Sequence, residues 1–300
     1  MWSAGQTGSM LQLQDKSRLR QAWTEFWKHP ASGGQCLRGA PDIGQALNAH
    51  WSSFAASLPA DGHVLDLGCG AGAAASALVA ARSGLRVTGV DFAMLPPAPA
   101  ANIALLQDTP METLPFADAS FDAAISQFGF EYGRAHKIAR QMARVLKPGA
   151  RFSFIVHHAG GTVVAANRAG LNLMRSVQGP EMQALVLSGS ALGVEQKLRD
   201  LARLHPADNL LEPLLRKLPE RTRGSAAARK QAWLALNEAL SPGRAILEAL
   251  DVCSVAVDEI EGWLGPLRQL FAVTSVSELR KADGGLIAWC IEGTQTRTPA

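Results

Sequence analysis

Residues 64–72, VLDLGCGAG, constrain the fold of this chain more than any other stretch. An apolar run, HVLDLG (63–68), has the length and composition of a buried strand. It meets three glycines at alternate positions, Gly68, Gly70 and Gly72, and then the Ala-rich run AGAAASALVAAR (71–82), a strong helix former. Glycines at such a junction let the backbone approach a ligand closely and leave N–H groups open at a helix start. Asp66 lies inside the strand, where a carboxylate needs a partner.

The pattern continues with LRVTGVD (85–91), NIALLQ (102–107), SFDAAISQF (120–128) and RFSFIVHH (151–158) as strands two to five. Three prolines between Met94 and Ala100 forbid an ordinary crossover helix. GRAHKIARQMARVL (133–146) reads as a helix stopped by Lys147-Pro148-Gly149. Strands alternating with helices imply an α/β fold, a parallel sheet covered on both faces. Before it, helices are expected over 11–29 and 42–57, split by the breaker His29–Gly34. Residues 163–265 read as helices without a clear strand, interrupted at Gly179-Pro180, Pro206, Pro213, Pro219 and Pro242. FAVTSVSEL (271–279) and GLIAWCIEG (285–293) then form two strands whose short link permits an antiparallel pair. Four parts result: an N-terminal helical cover (1–60), a core (61–162), a helical insertion (163–265) serving as lid or dimer surface, and the last two strands (266–300).

Composition narrows the class. Apolar residues make up 47% of 300, which suits a buried core. No apolar run approaches a membrane span, and the first residues lack the order of a signal peptide. Four scattered cysteines form no CxxC pair, so a cytoplasmic chain with reduced thiols is expected. A net charge of +3 does not by itself call for a polyanionic partner.

The glycine loop alone fits two cofactors, because GCGAGA also satisfies the dinucleotide fingerprint. A nicotinamide enzyme usually carries a small or apolar residue at position 66. A carboxylate there suits a ligand ammonium group. Asp91 ends the second strand, where an acid can bond both ribose hydroxyls or cap a turn. VLDLGCGAG followed by VTGVD resembles motifs I and II of class I S-adenosylmethionine (SAM)-dependent methyltransferases. METLPFADASFDAAISQFGFEY (111–132) is similar to the E-x-LPF-x-D-x-SFD segment of the ubiquinone/menaquinone-biosynthesis and related small-molecule methyltransferases, the methyltransferase type 11-like group. RVLKPGARF (144–152) resembles the stretch before their fifth strand.

The resemblance implies a Rossmann-like doubly wound sheet of seven strands with an antiparallel last strand, N-terminal helices, and the helical insertion between strands five and six. It implies SAM as cofactor. Asp66 would face its methionine end, with Gly68, Cys69, Gly70 and Gly72 lining that end and the ribose. Asp91 would hold the ribose hydroxyls and Phe92 would pack near the adenine. Met111 and Glu112 would meet the adenine edge; Gln127 and Phe128 would lie beside the methyl group. The family's adenine-binding Asp falls on Pro110 here, so either Asp108 substitutes or backbone and water make that contact. Cys69 is either a small residue tolerated between glycines or a thiol activated by the helix start.

Catalytic candidates follow from strand ends, where open α/β sheets bind ligands. Glu131 and Tyr132, the only tyrosine, could orient or deprotonate an acceptor; Glu131 could instead cap the following helix. His157 and His158 point to opposite faces, so at most one meets the site, and His157 is the candidate base. No coordination set appears in the spacing, so no metal is expected. Trp23, Phe26, Trp27, Trp51 and Phe54 either line an apolar pocket or pack the N-terminal helices. Methyl transfer to a small, apolar or aromatic molecule is the leading reading. Three alternatives stay open: a nucleic-acid methyltransferase using the basic run Arg216–Lys230, a non-catalytic assembly protein on the same fold, and a nicotinamide oxidoreductase. Oligomeric state is not readable.

Overall fold

A computed structural model describes residues 13–28, 41–205 and 211–296. The chain divides into two compact units, one of residues up to Ala165 and from Ala249 onward, the other Ala166–Glu248.

The first unit carries the sheet. Two helices open it, α1 (Leu13–Lys28) and α2 (Pro41–Ala56). The glycine junction then forms as the sequence predicts: β1 (His63–Leu67), a three-glycine turn, and α3 (Ala73–Ala81). β2 (Arg86–Val90) and β3 (Ile103–Leu106) follow, joined without a helix across the prolines. β4 (Phe121–Gln127), a 3₁₀ turn at Phe130–Tyr132, α4 (Ala135–Val145) and β5 (Leu146–His157) complete the parallel part. α10 (Ile260–Arg268), β6 (Phe271–Arg280) and β7 (Leu286–Gln295) close the unit. Strand order is β3-β2-β1-β4-β5-β7-β6, with β1 to β5 parallel and β7 antiparallel to both neighbours. β1 lies between β2 and β4, so chain order reverses there and a crevice opens at their carboxyl ends.

Alternation along each strand feeds two apolar layers. Leu65 and Leu67 join Phe130, Ile138, Phe152 and Leu264 on one face. Val64 joins Leu47, Trp51, Leu78 and Ile155 on the other. Asp66 is on the Val64 face by that alternation and breaks an otherwise apolar row.

Two expectations are corrected. Lys147-Pro148-Gly149 does not follow the helix as a separate stop, because β5 starts at Leu146 and contains it. Pro148 cannot extend α4, and Gly149 takes φ +75°, so the chain bulges while pairing skips from Phe121↔Leu146 to Ala123↔Arg151. Lys147 meets Asp122 (2.7 Å), whose other oxygen accepts the His63 N–H (2.9 Å).

The second unit is helical: most of α5 (Thr162–Val177), α6 (Pro180–Ser188), α7 (Ala191–Leu204), α8 (Leu211–Thr222) and most of α9 (Ala226–Cys253). Gly179-Pro180 starts a helix, with proline in its first turn. Pro219 and Pro242 were expected to interrupt helices and do not; they lie inside α8 and α9. Buried Leu218, Trp233, Leu236 and Leu240 anchor the turns around them, and that packing outweighs the lost N–H. Pro206 and His29–Gly34 lie outside the described residues. Among the described residues, no helix is long and apolar enough to cross a membrane.

Candidate active site

Two loops meet at the crevice. Gly68 (φ +67°) follows β1 and Gly129 follows β4. A Cβ on Gly68 would sit 2.8 Å from the Gly129 Cα, so the backbones touch and neither residue can carry a side chain. Gly70 (φ +50°) has the same restriction for another reason, since the Trp27 indole of α1 lies where its Cβ would be. Gly68 and Cys69 both donate N–H to the Val90 carbonyl (2.9 and 3.1 Å), which ties the glycine loop to the end of β2.

Asp91 locks that tie. Its Oδ2 accepts the Gly70 N–H (2.9 Å) and its Oδ1 accepts the Ala93 N–H (2.9 Å). Burial nevertheless lifts its carboxyl to about 6, against those backbone donors. Asp66 has no such support. It is 1% exposed, and neither carboxylate oxygen meets a hydrogen-bond partner. Burial, then the Asp91 charge, raise it to about 7, opposed only by the Ala75 N–H, which lies outside hydrogen-bond geometry. Cys69 moves the other way from an activated thiol. Burial and the two carboxylates push it well above its ordinary value, which overturns the idea that the helix start lowers it.

These groups border a cavity of about 380 Å³. Of the residues singled out from sequence, Asp66, Gly68, Cys69, Gly70, Asp91, Phe92, Asp108, Met111, Glu112, Gln127, Phe128 and Tyr132 line it. Gly72 is not on the wall. It caps α3 at φ +82°, and a Cβ there would face Pro99 and Leu105. Glu131 and His157 are not on the wall either. Glu131 Oε1 accepts the His157 N–H (3.0 Å) and lies 2.7 Å from His157 Nδ1. Phe128 stacks on the His157 imidazole (4.3 Å) and Tyr132 meets it edge-on (6.2 Å), so the buried pair backs two wall residues. Glu131 therefore does not cap α4. Glu112 comes nearer that role, accepting the Arg134 N–H (3.1 Å). His158 lies beyond the strand end, stacked on Trp289 (4.4 Å), with Nδ1 accepting the Gly160 N–H (2.9 Å).

Trp23 and Trp27, read from sequence as either pocket lining or helix packing, line the cavity, and sequence reading missed two further contributions. On α1, Lys16, Leu19 and Arg20 extend that lining as a stripe at helical spacing. Arg20 donates from Nε to the Phe92 carbonyl (2.8 Å) and pairs with Asp108 (2.7 Å), so the residue considered for adenine also holds this helix. Trp51 donates to Gln127 Oε1 (2.6 Å) from the fully buried side of α2. An indole can only donate, so the amide orientation is fixed and the Gln127 NH2 is left for a ligand acceptor. The spacing of 76 residues carries no local signal for that pair. Trp51 and Phe54 belong to the core layer, not to the cavity.

The chemistry of the wall fits SAM. An unsatisfied buried carboxylate suits an ammonium, a backbone-braced acid suits a diol, and the glycine turn at a helix start suits a polar ligand at close range. Residues 65–154 match the family described as "Methyltransferase domain". The chain is 39% identical over 93 residues to a demethylmenaquinone methyltransferase of Corynebacterium kroppenstedtii, covering 30% of this chain and 39% of that protein. It is 31% identical over 141 residues to a 2-phytyl-1,4-naphtoquinone methyltransferase of Synechocystis, covering 43% and 57%. Thus it spans about half the length of the relatives it matches. A chain of the complex between the Haloferax volcanii Trm112 methyltransferase activator and a methyltransferase shares the fold, with TM-score 0.50, 15% identity and coverage of 92% and 98%. Strand order, the glycine turn with its two acids, and the matched segment together identify residues 65–154 as a methyltransferase domain of the class I SAM-dependent kind.

Proposed function

We propose that the protein transfers a methyl group from SAM to a small, flat, largely apolar molecule. The observation that carries this reading is Asp66, a carboxylate without partners on the wall of a cavity that also holds Asp91 and the glycine turn. Left ionised, it costs roughly 4 kcal/mol against its ordinary value. A ligand ammonium would remove that cost.

SAM supplies an activated methyl on a sulfonium. In this reading Asp66 receives the ammonium, while Gly68, Cys69 and Gly70 cradle the methionine end and Gly72 sets the turn. Asp91 takes the ribose hydroxyls, and Phe92, Asp108, Met111 and Glu112 surround the adenine. Gln127 and Phe128 sit beside the methyl group. Aligning an acceptor with the S–CH3 bond is the main demand on the protein, and orientation alone can supply several kcal/mol. Tyr132 at the cavity wall is the acceptor-side candidate, with His157 and Glu131 as positioning residues behind it. The aromatic wall of Trp23, Trp27, Phe128 and Tyr132 favours a flat acceptor. The relatives named for quinone-type substrates are consistent with that shape.

The test is incubation of the full chain with methyl-labelled SAM and a fractionated cell extract, with and without RNase. Label entering small apolar molecules in both arms supports the reading. Label that disappears with RNase, or no label transfer, overturns it.

A further inference from the structure

The cations of the second unit divide into two sets. On α7, Lys197, Arg199 and Arg203 are each matched by an acid, Glu181, Glu195 and Asp200. From the end of α8 into α9 that balance is lost. Residues 216–230 carry six cations and one acid, Glu220, an excess larger than the net +3 of the whole chain. Arg229 is engaged within the fold, donating to the carbonyls of Leu187 (2.9 Å) and Gly224 (2.8 Å). Arg216, Lys217, Arg221, Arg223 and Lys230 are exposed, and none of them pairs with an acid among the described residues.

Arg229 also shows what lies beside them. Its bond to Leu187 and its packing against Gly189 seat the α6–α7 turn on the start of α9. Leu187 lies in the last turn of α6, 39% exposed, and Leu192 in the first turn of α7, 78% exposed. Leu234, 50% exposed, follows Lys230 by four residues on α9, so the two share a face. Three leucines thus stand in water around the corner that carries the unmatched cations. Single apolar side chains on a surface are ordinary. Apolar side chains set among unmatched cations are complementary to anionic head groups lying over an apolar layer. A nucleic acid would match the cations but leave the leucines in water.

We propose that this corner, residues 216–230 with Leu187, Leu192 and Leu234, docks on an anionic phospholipid bilayer. The cations meet the head groups and the leucines enter the boundary with the acyl chains. The contact is peripheral, because no described helix is long and apolar enough to cross a membrane. None of these residues lines the cavity, so the docking surface is independent of the SAM reading.

The test floats full-length protein with vesicles of phosphatidylcholine alone, or of phosphatidylcholine mixed with phosphatidylglycerol. Protein should float with the mixed vesicles only, and rising salt should release it. Each cation at such a surface contributes about fivefold to partitioning, so Arg221→Glu/Arg223→Glu should weaken it at least about 25-fold. Leu192→Ser/Leu234→Ser keeps the charge and should weaken it at least about threefold. All four side chains are exposed, so the fold tolerates both changes. No flotation with mixed vesicles, equal flotation with phosphatidylcholine alone, or flotation unchanged in either variant would overturn the proposal. So would binding of single-stranded RNA that strips the protein from mixed vesicles and is unaffected by the leucine changes.

Discussion

The two ends of the crevice each bury an acid, and they treat it differently. At the β1–β2 end, Asp66 has no partner and is raised to about 7. At the β4–β5 end, Glu131 is locked to the His157 backbone and imidazole through one oxygen. An unpaired buried carboxylate is a cost awaiting a ligand; a paired one is part of the scaffold. The first end is therefore assigned to donor binding, and the second to shaping the wall through Phe128 and Tyr132.

The largest effect expected from this contrast is at Asp66. Asp66→Ala should weaken SAM binding at least 100-fold in calorimetry while leaving the fold intact; unchanged affinity would break the distinction. Next is Glu131→Gln, which strips His157 of its carboxylate inside the core. Breaking a buried pair costs about 3 kcal/mol in urea unfolding, yet SAM affinity should stay within threefold. A loss of SAM binding as large as that of Asp66→Ala would show that both ends serve the donor. Trp51→Phe removes the bond that orients Gln127 and should weaken SAM about threefold to tenfold, near 1 kcal/mol for one hydrogen bond. Arg20→Met, at an exposed pair, should change affinity no more than about threefold, because such pairs contribute little.

The same contrast separates what the sequence made legible from what it hid. The glycine turn and its two acids were readable because Asp66, the glycines and Asp91 fall within 26 consecutive positions, and adjacent parallel strands bring such positions together. Strand and helix order followed from apolar periodicity for the same local reason. The β4–β5 end depends on pairs far apart, such as Trp51 with Gln127 and Glu131 with His157, which no spacing reveals. α1 was legible as a helix whose Trp23 and Trp27 could line a pocket, but not as the element that holds Asp108 through Arg20. Pro219 and Pro242 misled because propensity is local, whereas Leu218, Leu236 and Leu240 are held by tertiary packing. The early start of β5 was hidden because a bulge, and not a stop, absorbs Gly149.

The pH dependence of SAM binding tests the role of Asp66 most directly. Asp66 titrates near 7 in the free protein, well above the ordinary 3.8. Below that pH the folded state holds a proton that the unfolded chain has lost, so the acid's relative contribution to stability falls as pH rises from about 4 to 7. A bound ammonium needs the ionised form, so binding must expel that proton. Calorimetry from pH 6 to pH 8 should show SAM affinity rising by about threefold to tenfold, with proton release at the acid end. Asp66→Asn should bind more weakly and lose the Asp66 part of that slope, leaving a smaller rise from Asp91, which titrates near 6. A wild-type profile that is flat, or one that Asp66→Asn leaves unchanged, would contradict the assignment of Asp66 to the SAM ammonium.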